Sequence, residues 1–420
     1  MRGAGAVTGR GQAGKAAVAA VLAVASLAAA LAAACRGAAP SQDLSALGWE
    51  EIAVRARGST LTMTMWQGDP YINAYMNGYV VPALKRDHDI TLKLVGGQGS
   101  QITAMLMTEI EADQAASAID MVWINGETFF QLRRIGALYG PFTDRLPNAR
   151  YIDLDDPFIR YDFQQEIHGY ECPWGNVQLC LIYDTGRVSR PPMTREELAL
   201  WVSDHPGRFT FDNAFTGMTF LKAMLIDLAG GEAELAGPFD ERRYIECSTR
   251  LWDYINGIKR FFWKQGETFP VSVAQLHQLF VGGEVDFTMS NNDGEVDNKV
   301  LQGLFPDTAR AYVPSWGSIQ NSHYVGIVSR SAHVAAALVA VNFLISPEAQ
   351  LEKMKPQVWG DGTVLAVDKL PPVWQARFKE LPLRRHAPQR SEIQARALRE
   401  LDPQYMIRLY EDFRSHVVAR

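Results

Sequence analysis

Three times between residues 61 and 135, a short apolar run ends in a polar junction that contains glycine, and a helical pattern follows. The first run is "LTMTMW" at 61–66, which leads through Gln67-Gly68-Asp69 into a helical stretch over 71–86. The second, "ITLKLV" at 90–95, gives way to Gly96-Gly97-Gln98-Gly99-Ser100 and a helix over 100–113 with Ile102, Met105, Leu106 and Ile110 on one face. The third, at 119–124, places Val122, Trp123 and Ile124 in a strand buried on both faces. It ends in Asn125-Gly126-Glu127, after which Phe129, Leu132 and Ile135 recur at helical spacing. Strands alternating with helices at this interval predict βαβ units and a parallel sheet. Sheets of that kind bind ligands outside the carboxyl ends of their strands. The junctions suit such a role, because Gln, Asn and Ser supply donors and acceptors at helix N-termini.

The glycines do not spell a dinucleotide site. Ile102 stands where the third glycine of G-x-G-x-x-G belongs, and the segment follows the second strand, not the first. No G-x-x-x-x-G-K-[ST], H-E-x-x-H or G-x-S-x-G motif occurs. With 420 residues, 47% apolar and 10% aromatic, the chain is globular and long enough for two cores.

Residues 1–34 stand apart from this pattern. Arg2, Arg10 and Lys15 form a basic start, residues 16–34 are Ala, Val, Leu and one Ser, and the run ends "LAAAC" at Cys35. This is a secretory signal pattern. Its ending is similar to a bacterial lipoprotein signal, in which Cys35 carries the lipid, although Ala32 stands where Leu is usual. Plain secretion and a retained transmembrane anchor are the alternatives, the apolar run being near the length that spans a bilayer. Without residues 1–34 the formal charge moves from −6 to −9, with 38 basic against 47 acidic residues. An acidic body argues against nucleic acid and anionic membrane surfaces as partners, and accommodates a cationic or neutral small ligand more easily. Besides Cys35 there are Cys172, Cys180 and Cys247, with no Cys-x-x-Cys pair. A Cys172–Cys180 disulfide and buried free thiols are both open, since the two residues are too far apart to bridge if they lie along one extended run.

The second half repeats the junction style. "FTG" at 215–217 precedes a helical run, and "VDFTMS" leads into Asn291-Asn292-Asp293-Gly294. The segment "GYECPWGNVQLCLIYDTGRV" at 169–188 reads as a crossover between domains, and "YVPSWGSIQNSHYVGIV" at 312–328 as a second one. Trp174 is either a packing plug or an aromatic platform. Residues 331–345 read as a helix, and "SPEAQ" opens another with Ser346 as its cap and Pro347 at its first position.

Several motifs carry a resemblance. They are "WINGETF", "LYGPF" and "LPN" within 123–148, "GYECPWGNVQ" at 169–178, "PGRFTF" and "FTG" within 206–217, "WGSIQN" at 316–321, and "NFLISPEAQ" with "VWG" within 342–360. The chain resembles the extracellular solute-binding proteins of ABC importers, in the YnjB-like branch, related to thiamine-binding and ferric-ion-binding periplasmic proteins. The resemblance implies a two-lobed α/β periplasmic-binding-protein fold of type II, closing on a small solute like a hinged trap. The expected organisation is a signal peptide at 1–34, a tether at 35–57, one lobe from 58–168 with 318–360, a second at 169–317, and C-terminal helices at 361–420 packing on the lobes. A membrane permease, an ATPase and a lipid-anchored membrane contact are the implied partners, with a monomeric receptor and no cofactor, catalytic residue or resident metal. The candidate solute contacts are Trp66, Gln67, Gln98, Asn125 and Glu127 from the first lobe, and Tyr170, Trp174, Thr216, Asn292, Trp316 and Ser318 from the links and second lobe. Three other readings stay open. A ferric-ion receptor would use clustered tyrosines such as the one at Tyr183-Asp184; a secreted hydrolase would need a carboxylate pair that no motif singles out; and a sensory lipoprotein would present its solute to a membrane kinase.

Overall fold

The computed structural model describes residue 44 and residues 46–419. Cys35 and the signal segment lie outside the described residues. The described residues build two main sheets and a short two-stranded hairpin of Tyr161–Asp162 with Gln165–Glu166. The first contains β1 (Thr60–Met65), β2 (Thr91–Gly96), β3 (Met121–Ile124), β4 (Glu171–Gln178), β8 (Ser318–Ile327) and β9 (Ala397–Leu398); the second contains β5 (Cys180–Asp184), β6 (Phe287–Ser290) and β7 (Ala309–Tyr312). In the first, the order is β9-β8-β3-β1-β2, with β4 also paired to β8. The β1–β2 and β1–β3 pairs are parallel, as the βαβ rhythm predicts, while β8 joins antiparallel to both β3 and β4. The second sheet is antiparallel, in the order β6-β5-β7.

Among the helices that cover the sheets and supply the junction residues are α1 (Trp49–Ala56), α2 (Gly99–Glu111), α3 (Gly126–Arg134), α4 (Phe215–Ala229), α5 (Glu295–Leu301), α6 (Val334–Leu344) and α7 (Pro403–Phe413). Both faces of the first sheet are covered because alternate residues of its strands point to opposite sides. Met121 packs into the core containing α1 and α6, whereas Val122 and Ile124 pack into the one under α2 and α3. A third core surrounds the second sheet and takes in α4 and α7. From Leu44 onward, the stretch expected to be a tether is part of the fold: Leu44, Ile52 and Ala56 are buried, and α1 packs on α6. The amphipathic spacing of Ile52 and Ala56 is the reason, since two residues one turn apart form a single apolar face.

The two expected crossovers are strands. Only Leu179 separates β4 from β5, so one extended run passes from the first sheet to the second, and residues 313–317 carry the chain back from β7 to β8. Cys172 and Cys180 therefore lie along one extended run, and they are free and buried, as is Cys247. Ser346 caps the helix Pro347–Met354 by accepting from the Ala349 amide, with Pro347 at its first turn. Beyond that cap, Gln350 donates to the carbonyls of Trp174 and Leu344, both at 2.8 Å, and so ties the "SPEAQ" motif to "PWG".

Candidate functional site

Each strand of the parallel set hands its chain to a helix N-terminus whose unpaired amides need partners. After β1, Asp69 accepts from the amides of Tyr71 and Ile72 through Oδ1, at 2.7 and 3.1 Å. After β2, the Gln98 amide donates to Gln101 Oε1 at 3.0 Å, leaving the Gln98 side chain in solvent. After β3, Asn125 Oδ1 accepts from Thr128 Oγ1 at 3.1 Å, and Glu127 sits in the first turn of α3. Helices α2 and α3 pack against each other, which brings the Gln98 and Asn125 junctions side by side.

Elements of the second sheet meet these ends. Lys299 of α5, nearly buried, pairs with Asp69 Oδ2, lies 3.2 Å from Glu295 and stands over the Tyr71 ring. Thr216, at the start of α4, accepts from Asn291 Nδ2 at 3.1 Å. Asn292 folds back on its own loop, its Oδ1 accepting from the Gly294 amide at 2.9 Å, while its Nδ2 approaches the Gly360 carbonyl at 3.5 Å. Gly126 is required here: a Cβ on it would stand 2.2 Å from the Phe163 ring. Phe163 in turn stacks on Phe215 of α4 with ring centroids 6.4 Å apart. The Asn125-Gly126-Glu127 junction thus faces α4 through one aromatic ring.

The expected contact residues divide by burial. Gln67 and Gln98 are exposed, and Trp66, Asn125, Glu127, Tyr170 and Asn292 are half-buried. Tyr170 is covered by the Arg133 guanidinium, 3.4 Å from its ring centroid. Trp174 has no exposed surface; its indole meets Trp123 edge-on at 5.0 Å and also packs on Trp359 and His323. Trp316 and Ser318 are buried too, Ser318 accepting from Gln178 Nε2 at 3.1 Å. Sequence reasoning missed Trp123, His323 and Trp359, which complete the Trp174 cluster, and Asp69 and Lys299, which join the two sets of strand ends. Trp123 was legible in the "WINGE" run, but Lys299 carried no local signal.

A charged group lies behind the Asn125 junction. Lys222 of α4 has no exposed surface, pairs with Glu400 and stands 3.9 Å over the Phe163 ring. Burial pushes the Glu127 carboxyl up to about 7, opposed by Lys222 and reinforced by Glu400. Burial also holds Asp162 and Glu171 well above the usual carboxylate range, the Glu400 charge raising Asp162 further and the Asp162 charge raising Glu171, and burial raises Glu400. Among the described residues, no group of three or more His, Cys, Asp or Glu side chains is placed to hold a metal ion.

This arrangement, two sheets joined by paired crossing strands with polar strand ends meeting between them, is the fold of type II periplasmic binding proteins. The TpPotD lipoprotein of Treponema pallidum is similar over 86% of this chain and 100% of that one, with a TM-score of 0.62 at 14% identity. A periplasmic thiamin binding protein is similar over 86% and 96% of the two chains, with a TM-score of 0.58 at 17% identity. In sequence, the chain is 33% identical over 327 residues to protein YnjB of Escherichia coli (strain K12), covering 77% of this chain and 84% of that one. The model of the bacterial extracellular solute-binding protein family matches residues 48–379, and the chain belongs to that family. It is therefore a bacterial extracellular solute-binding protein by family.

Proposed function

We propose that this protein is a lipid-anchored receptor that captures a small solute between two lobes and delivers it to the permease of an ABC importer. The observation that carries the reading is the meeting of strand ends: Asp69 from the β1 junction and Lys299 beyond β6 form one buried ion pair, so residues after both sheets share a boundary. One lobe comprises 58–168 with 318–360, with β4 hydrogen-bonded into its sheet, and the other is built on β5, β6 and β7. Trp66, Gln67, Gln98, Asn125 and Glu127 contact the solute from one side, and Thr216 and Asn292 from the other. Tyr170, Trp174, Trp316 and Ser318 act behind them, setting the position of the crossing strands. A receptor of micromolar affinity needs about 8 kcal/mol, within reach of an aromatic contact and several buried hydrogen bonds.

The test is mass spectrometry of the small molecule that co-purifies with the protein, followed by its uptake in cells lacking the gene. Loss of uptake supports the reading, and unchanged uptake refutes it. For the anchor, Cys35→Ser is expected to release the protein from the membrane fraction, and retention in that fraction refutes lipidation at this residue.

A further inference from the structure

Past residue 379, where the family match ends, the chain lays a segment across both connections between the two main sheets. At the first connection, Arg390 Nη1 donates to Asn176 Oδ1 at 3.0 Å and Nη2 to the Asn176 carbonyl at 2.7 Å, in β4 of the first sheet. The same Nη2 donates to Asp293 Oδ1 at 2.9 Å, in the loop that follows β6 of the second sheet. One guanidinium therefore joins the two sheets. Asp293 has no exposed surface, and both its oxygens are engaged: Arg384 pairs with Oδ2, and the Gln178 amide donates to Oδ1 at 2.8 Å. A buried charge persists only when it is paired. Burial alone would raise this carboxyl, but the Arg390 and Arg384 charges outweigh it and hold Asp293 below the usual carboxylate range.

The return connection is held by the same segment. β9 pairs in parallel with the start of β8, Ala397 beside Ser318 and Leu398 beside Ile319. Gly317, at a φ of 87°, lets the segment lie this close, because a Cβ there would stand 2.9 Å from the Arg396 carbonyl oxygen. Arg396 donates to the Val313 carbonyl, and Glu400 Oε1 accepts from Asn321 Nδ2 at 2.6 Å. Hinge motion is absorbed by the few residues that connect two moving parts, and here those residues are bonded to a third piece of chain. The guanidinium presents its N–H groups in a rigid planar fork, so turning β4 against the β6 loop breaks its bonds to one side or the other.

We propose that residues 384–400 are a strap that limits rotation of the two sheets about their connections, with Arg390 as its pin. Contacts made in one arrangement and lost in another bias the equilibrium towards the first. The consequence for solute capture rests on the two-lobed reading: the strap sets how far the lobes part, and through Asp293 it fixes the neighbouring Asn292, a proposed solute contact. Arg390 and Asp293 are positioning residues in that scheme.

The experiment measures the distance between two spin labels by double electron–electron resonance on the exported chain. The labels sit at Met107→Cys on α2 and Leu200→Cys on the helix Arg195–Asp204, both exposed positions. Cys172, Cys180 and Cys247 are buried, and Cys35→Ser leaves the two introduced thiols for labelling. Arg390→Met is expected to broaden the distance distribution and shift it to longer values. Arg390→Lys keeps a charge beside Asp293 but loses the fork, so it is expected to shift the distribution in the same direction, and it decides the matter if Arg390→Met does not fold. Arg399→Met removes an arginine of the same segment whose partner, Glu232, lies on neither connection, and is expected to leave the distribution as in wild type. A lower melting temperature with an unmoved distribution in the Arg390 variants, or an equal shift in Arg399→Met, overturns the proposal. An unmoved distribution in a protein whose gene is still required for uptake of the co-purified solute keeps the importer reading and loses the strap; a moved distribution without any uptake defect does the reverse.

Discussion

Asn125 and Glu127 stand two residues apart, and the structure separates what they do. Asn125 Oδ1 holds the Thr128 hydroxyl, so Asn125→Ala removes the proposed solute contact and frees a hydroxyl at once. The variant is expected to bind the co-purified solute about 1–3 kcal/mol more weakly, the cost of an unsatisfied buried group, with a small change in melting temperature. Titration calorimetry on wild type and variant measures it, and equal affinity would place the pocket elsewhere. Glu127 tests electrostatics. Its folded pKa of about 7 lies above its ordinary value of 4.5, so the folded state holds the proton that the unfolded state gives up between those values. Stability from this group is complete below about 4.5 and is lost as pH rises towards 7, at about 1.4 kcal/mol per unit before solvent screening is allowed for. Glu127→Gln is expected to flatten that part of the denaturation profile, so the variant gains on wild type as pH rises from 5 to 7. An unchanged difference across that range would show Glu127 to be ionised throughout.

At the scale of elements, α4 is the helix on which the core around the second sheet and the charged group both depend. Gly217 lets it sit where it does, because a Cβ there would stand 1.7 Å from the Asp212 carbonyl oxygen, a backbone atom that cannot swing aside. Gly217→Ala is therefore expected to destabilise the protein by about 1–3 kcal/mol, measured by denaturant unfolding, since overpacking displaces the whole N-terminal turn. A stability equal to wild type would mean that the 212–217 turn adjusts freely. The "FTG" motif is thus explained by packing of the turn. The same scale explains "LPN" and "NFL". Asn148 makes two hydrogen bonds to Asn342, its amide donating at 2.9 Å and its side chain at 3.0 Å, which locks the 146–148 turn onto α6.

For the whole molecule, the Asp69–Lys299 pair is the tie whose loss is most informative. Lys299→Met leaves Asp69 and Glu295 facing each other without their cation. Breaking a buried pair from one side costs about 3–5 kcal/mol, and under the proposed closure of two lobes that loss falls on the closed arrangement. The variant is expected to bind the co-purified solute more weakly and to show a larger radius of gyration by solution scattering. Unchanged affinity and radius would mean that the pair does not govern closure.

The parallel unit, its polar strand ends and the cap at Ser346 were legible in sequence because each depends on residues near one another in the chain: alternation, helical spacing and capping are local. The family motifs were legible for the same reason, as short runs. What the sequence did not carry is which of those runs would be buried. "PWGNVQ" and "WGSIQN" look like exposed, polar linkers, yet Trp174, Gln178 and Ser318 are sealed because β4 and β8 pair with each other along their length, and the partner of each is some 140 residues away. Likewise Asp162, Glu171, Lys222 and Glu400 are ordinary one by one. Only tertiary packing gathers them, from a short hairpin, a crossing strand, α4 and the C-terminal segment, and removes the water that would have made their charges inexpensive.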